Sequence, residues 1–207
     1  MISHTHRCIF VHIPKTGGTS VEDVIWPNER TEADLWMGLV RPGYNRHQTG
    51  GLQHLLARQI RSDVGPAVFD AYFRFTIVRN PWDKIISQYA YMRERPDLRR
   101  FIGLAEDATL DEYLRRIQTA EHVQWLPQIA FIQDAGGHDI VDFIGRFERL
   151  EEGMRFVFNQ IGVSCQRLPH RLASRRTRDY RDYFDARTRA EVARLYAADI
   201  DHFHYAF

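Results

Sequence analysis

Lysine is almost missing from this 207-residue chain: only Lys15 and Lys84 stand among its 28 lysines and arginines. Cysteine is as scarce, with Cys8 and Cys165 alone, which excludes a disulfide framework and leaves two inert thiols as the expectation. No apolar run approaches the roughly 20 residues a membrane-spanning helix needs. The opening Met1-Ile2-Ser3-His4-Thr5-His6-Arg7 leads into a strand without the apolar region of a signal peptide, so a soluble, cytoplasmic protein is expected. A formal net charge of +1 argues against a general nucleic-acid binder. The chain also lacks a Cys/His cluster with zinc spacing and an Asp-rich magnesium motif. The triphosphate loop G-x-x-x-x-G-K-[ST] is absent, which weakens an ATPase or kinase reading.

Against that scarcity, one lysine stands in a telling place. Phe10-Val11-His12-Ile13 reads as an apolar strand, followed by Pro14-Lys15-Thr16-Gly17-Gly18-Thr19-Ser20. Glycines let backbone approach an anion closely, and the N–H groups opening the next helix point at it with the positive end of the helix dipole. Lys15 adds a compact full charge. An isolated Gly-Gly turn with a surface lysine would be unremarkable, but a second motif changes the reading. Tyr72 to Val78 is a β-branched and aromatic strand that ends at Arg79 and restarts as a helix, with Asn80 as N-cap and Pro81 in the first helical position. Ile85, Ile86 and Tyr89 have the spacing of that helix's core face, and Ser87 lies two turns below Asn80 on the other side. Arg79 and Ser87 can therefore converge on one anion.

The periodicity predicts strands over 7–13, 73–78 and 140–147 and helices over 18–26, 52–62, 81–95, 109–119, 149–161 and 186–202. Such alternation predicts an α/β fold with a central parallel sheet flanked by helices, and the absence of repeats and linkers predicts one domain over 1–207. Between the first two helices the irregular stretch Trp26 to Gln48 is long enough to serve as a flap on the acceptor side.

Together, the Pro-Lys-Thr-Gly-Gly-Thr-Ser loop, the strand-borne Val-Arg-Asn-Pro-Trp-Asp and the later serine resemble the sulfotransferases that use 3′-phosphoadenosine 5′-phosphosulfate (PAPS), closest to the carbohydrate sulfotransferase branch and its small bacterial members. The likeness extends through Val141 to Glu148, Leu168-Pro169-His170 and the closing Tyr196 to Phe207. It implies a P-loop-like fold in which Lys15, Thr16, Gly17, Gly18, Thr19 and Ser20 hold the 5′-phosphosulfate and Arg79 and Ser87 the 3′-phosphate. It also puts a loop carrying Ser174, Arg175 and Arg176 over the cofactor, where one of them would hold the 3′-phosphate or cover adenine. The implied reaction moves SO₃ to an acceptor hydroxyl, with a carbohydrate as first candidate, releases adenosine 3′,5′-bisphosphate (PAP) and needs no metal.

Sulfuryl transfer requires charge stabilisation on the leaving oxygen and a base for the acceptor proton. Lys15 fits the first task. For the second, His54 lies off the apolar stripe Leu52, Leu55, Leu56 and Ile60, on the side of Arg58 and Arg61, whose charges would keep it neutral. His12 is the next candidate, and His122, Trp125 and Gln128 are candidates to line an acceptor cleft. Two other readings stay open, a nucleotide-dependent kinase or phosphotransferase on a similar loop and a non-catalytic PAP or PAPS binder.

Overall fold

Alternation of apolar side chains along the strands explains the layering of the molecule, which a computed structural model describes for residues 1–27, 54–164, 168 and 179–207. Strand β1 (Ile2–Ser3) pairs antiparallel with β2 (Cys8–Val11), and β2, β3 (Phe73–Val78) and β4 (Phe143–Arg146) lie side by side in parallel. The sheet is thus mostly parallel, and its antiparallel edge strand was not expected, because two residues are too few to show a period.

Successive strand side chains point to opposite faces. Cys8, Phe10, Phe75 and Ile77 meet α1 (Gly18–Ile25) on one face, and helix 150–160 covers the same cluster through Met154, Val157 and Phe158. Ile9, Val11 and Val78 point the other way, toward α2 (Ala57–Val64), α3 (Pro66–Ala71) and residues Phe131, Ile132 and Phe203. A third cluster joins α4 (Pro81–Arg93), α5 (Pro96–Ile102) and α6 (Leu110–Ile117) with Trp125 and Val192. The remaining helices are α7 (Ile129–Ile132), α8 (Leu150–Gln160), α9 (Ala186–Leu195) and α10 (Ala197–Phe203).

Three predicted helices differ from those observed. The helix expected over 52–62 begins at Ala57, because Leu56 is extended (φ −70°, ψ 150°) and its N–H is taken by Gln59 Oε1 at 2.8 Å. That expected over 81–95 stops at Arg93, and Pro96, which can open a helix but not continue one, begins α5. That expected over 186–202 breaks at Tyr196 (φ −116°, ψ 28°), whose hydroxyl is drawn to Trp125 O at 2.8 Å. Cys8 is buried and its thiol pushed up to about 12 by that burial, as an inert core cysteine requires. Among the described residues no helix is long and apolar enough to cross a membrane.

Candidate anion site at the C-terminal edge of the sheet

The three parallel strands end at one edge, so the segments leaving β2, β3 and β4 meet there. The first is the lysine loop. Its chain reverses through two left-handed residues, Lys15 (φ 66°) and Gly17 (φ 84°). A side-chain-bearing residue in that region costs about 1–2 kcal/mol, so the strained position carries the charge instead of a glycine. Thr16 is buried and its hydroxyl donates to Ile13 O at 2.9 Å, which closes the loop from inside. Lys15, Gly17 and Thr19 line the half-exposed rim, while Gly18 and Ser20 are buried. No side chain makes a capping bond at Gly17, so among the described residues the start of α1 has backbone N–H groups and no acidic side chain in its first turn.

Both glycines are required by what lies behind them. A Cβ on Gly17 would stand 3.1 Å from the Phe147 ring, and one on Gly18 only 2.2 Å from the His12 ring. Gly18→Ala is therefore expected to cost about 1–3 kcal/mol and to weaken anion binding, because His12 must yield and take the loop with it; thermal melting with and without PAP checks this.

Arg79 leaves the end of β3, and its guanidinium is held on three sides. Nη1 donates to Lys15 O at 3.0 Å, Nε donates to Asp83 Oδ2 at 2.8 Å, and the plane lies 3.9 Å over the Phe147 ring centroid. The loop expected to bind one anion is thus tied directly to the residue expected to bind another. Ser87 follows Asp83 by one helical turn, and Tyr91 follows Ser87 by another, so all three share one face of α4. Lys15 Nζ sits 4.1 Å from the Tyr91 ring centroid, which places Lys15 against the helix face that carries Ser87, while Arg79 and Ser87 are themselves buried. Asn80 caps α4 by accepting from Trp82 N at 3.1 Å, and its own N–H donates to Glu148 Oε1 at 2.6 Å.

His54 approaches from the other side of the loop. Its Nδ1 lies 2.9 Å from His12 O, and the two rings are 4.6 Å apart between centroids. A carbonyl only accepts, so Nδ1 carries the proton and Nε2 presents the lone pair. His54 is held well below the usual imidazole range, first by burial and then by the neighbouring His12 ring. The expected cause, Arg58 and Arg61 on one helix side, is corrected: His54 precedes α2, Arg58 reaches toward Ala130 O, and Arg61 pairs with Asp70. His12 is itself engaged, its Nδ1 2.6 Å from Glu22 Oε1 with both residues buried, which makes it a support for the loop.

The remaining candidates separate. His122 and Trp125 stack at 4.8 Å and line a cavity of about 310 Å³ together with Pro127 and Tyr196. Gln128 does not line it; it is fully buried, and its amide is paired with the backbone of Arg79. Lys84, the second lysine, is buried against Gln124 O at 3.4 Å and lowered to about 8 by burial, with Asp199 opposing the shift. Ser174, Arg175 and Arg176, most of the stretch Trp26 to Gln48, and Cys165 lie outside the described residues. Among the described residues no group of three or more His, Cys, Asp or Glu side chains could hold a metal ion. Glu148, Asp83 and Asp199 were missed by sequence reasoning. Only Asp83 left a signal, four residues from Arg79 on a helix start.

Known proteins resemble this chain over part or nearly all of its length. An uncharacterized protein from Archaeoglobus fulgidus is 32% identical over 107 residues, 52% of this chain and 82% of that protein. The crystal structure of a sulfotransferase from Alicyclobacillus acidocaldarius is 20% identical with a TM-score of 0.41, over 73% of this chain and 60% of that one. The chain thus spans about 60% of the length of that solved structure. A family model described as the sulfotransferase family matches residues 1–206, and on that match the chain belongs to the sulfotransferase family.

Proposed function

We propose that the protein transfers a sulfuryl group from PAPS to an acceptor hydroxyl on a carbohydrate or glycan. One observation carries the reading: the bond from Arg79 Nη1 to Lys15 O joins the glycine loop to the end of β3. A donor bearing both a 5′-phosphosulfate and a 3′-phosphate needs two anion sites at a fixed separation, and a direct bond between the two segments supports that reading. The loop fits such a group chemically, with a cation and a helix start that has neither a side-chain cap nor an acidic side chain in its first turn. The carbohydrate class rests on the family resemblance.

In this mechanism Lys15 and the N–H groups of 16–20 hold the phosphosulfate, and Arg79 and Ser87 hold the 3′-phosphate. His54 Nε2 takes the proton of the acceptor hydroxyl as the new S–O bond forms, while Lys15 neutralises charge on the phosphate oxygen released from sulfur. Positioning and electrostatics supply most of the rate, as in phosphoryl transfer. The base and the cation are both anchored to the exit of β2, His54 through His12 O and Lys15 through the chain itself. This shared anchor supports pairing the two roles.

Titration calorimetry with PAP, with ADP, and with ATP plus magnesium tests the donor class. PAP is expected to bind tighter than ADP, and Arg79→Ala to remove most of that preference by losing a charge-assisted contact worth about 1.5–3 kcal/mol. Equal or tighter binding of ADP or ATP would favour a kinase or phosphotransferase. Binding of PAP without turnover of PAPS over an acceptor screen would favour a non-catalytic binder.

A further inference from the structure

Arg79 is fixed through its side chain by the contacts described above and, independently, through its backbone. Gln128, which immediately precedes α7, accepts from Arg79 N at 2.9 Å through Oε1 and donates to Arg79 O at 2.8 Å through Nε2. One primary amide thus replaces the neighbouring strand at the point where β3 ends, satisfying both polar groups of a single residue. Gln128 is fully buried, and so is Asp199 of α10. Asp199 accepts from Gln128 N at 2.8 Å through Oδ2 and from Ile129 N at 2.9 Å through Oδ1. Its carboxylate therefore holds the segment that holds Arg79.

Other contacts join the same region. Asn80 Nδ2 donates to Ala206 O at 2.8 Å, Tyr205 OH donates to Glu148 Oε2 at 3.0 Å, and Arg146 Nη2 donates to Phe203 O. Asp199 sits at the inner end of this lacing, where a buried carboxylate is retained only if it is well paired.

We infer that Gln128 and Asp199 are positioning residues for the 3′-phosphate site: Asp199 orients Gln128, and Gln128 sets the backbone of Arg79 so that its guanidinium meets the phosphate. The inference rests on the proposed role of Arg79. A merely structural role would alter stability or weaken all ligands alike, whereas positioning of Arg79 acts only on ligands that carry the 3′-phosphate.

Calorimetry with PAP and with adenosine 5′-monophosphate, which lacks that phosphate, separates the two. Wild type is expected to prefer PAP. Gln128→Met, close in volume but without polar groups, is expected to lower the PAP to monophosphate affinity ratio about tenfold, with monophosphate affinity unchanged. Asp199→Asn, which keeps an acceptor, is expected to lower the ratio less and carries the test if the first variant does not fold. An unchanged ratio in the folded variants, or an equal loss for both ligands, would overturn the inference while leaving the role of Arg79 intact. A wild-type protein with no preference for PAP would overturn that role, and the inference with it.

Discussion

Lys15→Ala is expected to lower kcat by about 10²–10³-fold, the usual consequence of removing one preorganised group from a developing oxyanion. Alanine is an informative replacement because it also bears a Cβ. The left-handed backbone at this position (φ 66°) is as strained with alanine as with lysine, so the comparison isolates the ammonium. Lys15→Gly would mix relief of that strain with loss of the charge. The carbonyl of residue 15 still receives Arg79 Nη1, so PAP affinity should fall much less than turnover. Single-turnover transfer from labelled PAPS, measured beside PAP binding, separates these quantities. A kcat within twofold of wild type would remove Lys15 from the leaving-group role.

His54→Ala is expected to cost about 10²–10⁴-fold in kcat, the range of a lost general base, with PAP binding close to normal. The pH profile supplies a second signature. Burial lowers the imidazole well below its ordinary value of 6.5, so the base stays neutral into mildly acidic solution and the acid limb of kcat falls below that value. The linked stability has a definite sign. The unfolded chain binds the proton first on acidification, so His54's contribution is complete above about 6.5 and is lost as pH falls toward the folded value. In His54→Ala the acid limb should vanish together with the activity. Retained activity would transfer the proton to His12 or His122.

What the sequence disclosed follows from how local each feature is. The loop at Lys15 to Ser20, the cap at Asn80 and the proline start at Pro81 are short-range patterns, and all three stand where they were read. The layering was legible because Phe10 and Ile9 obey a period of two on a sheet covered on both faces. The start of α2 was hidden because leucines at 52, 55 and 56 mimic a helical stripe, whereas Gln59 caps the chain at Leu56. His54 was singled out for a partly mistaken reason. Its lowered pKa comes from burial and then from His12, distant in sequence, and neither has a local signature. Gln128 and Asp199 were opaque for the same reason, since a glutamine that replaces a missing strand looks like any polar loop residue until β3 is placed beside it.

The restraint of Arg79 has a consequence for the thermodynamic character of binding. A free arginine side chain forfeits up to about 2 kcal/mol of rotamer entropy when a ligand immobilises it. Here Asp83, Phe147 and Lys15 O have already fixed the guanidinium, so that loss is charged to folding and not to the ligand. On the role proposed for Arg79, an anion arriving at this edge of the sheet is expected to encounter a fork at rest, with little of its binding enthalpy consumed in arresting it.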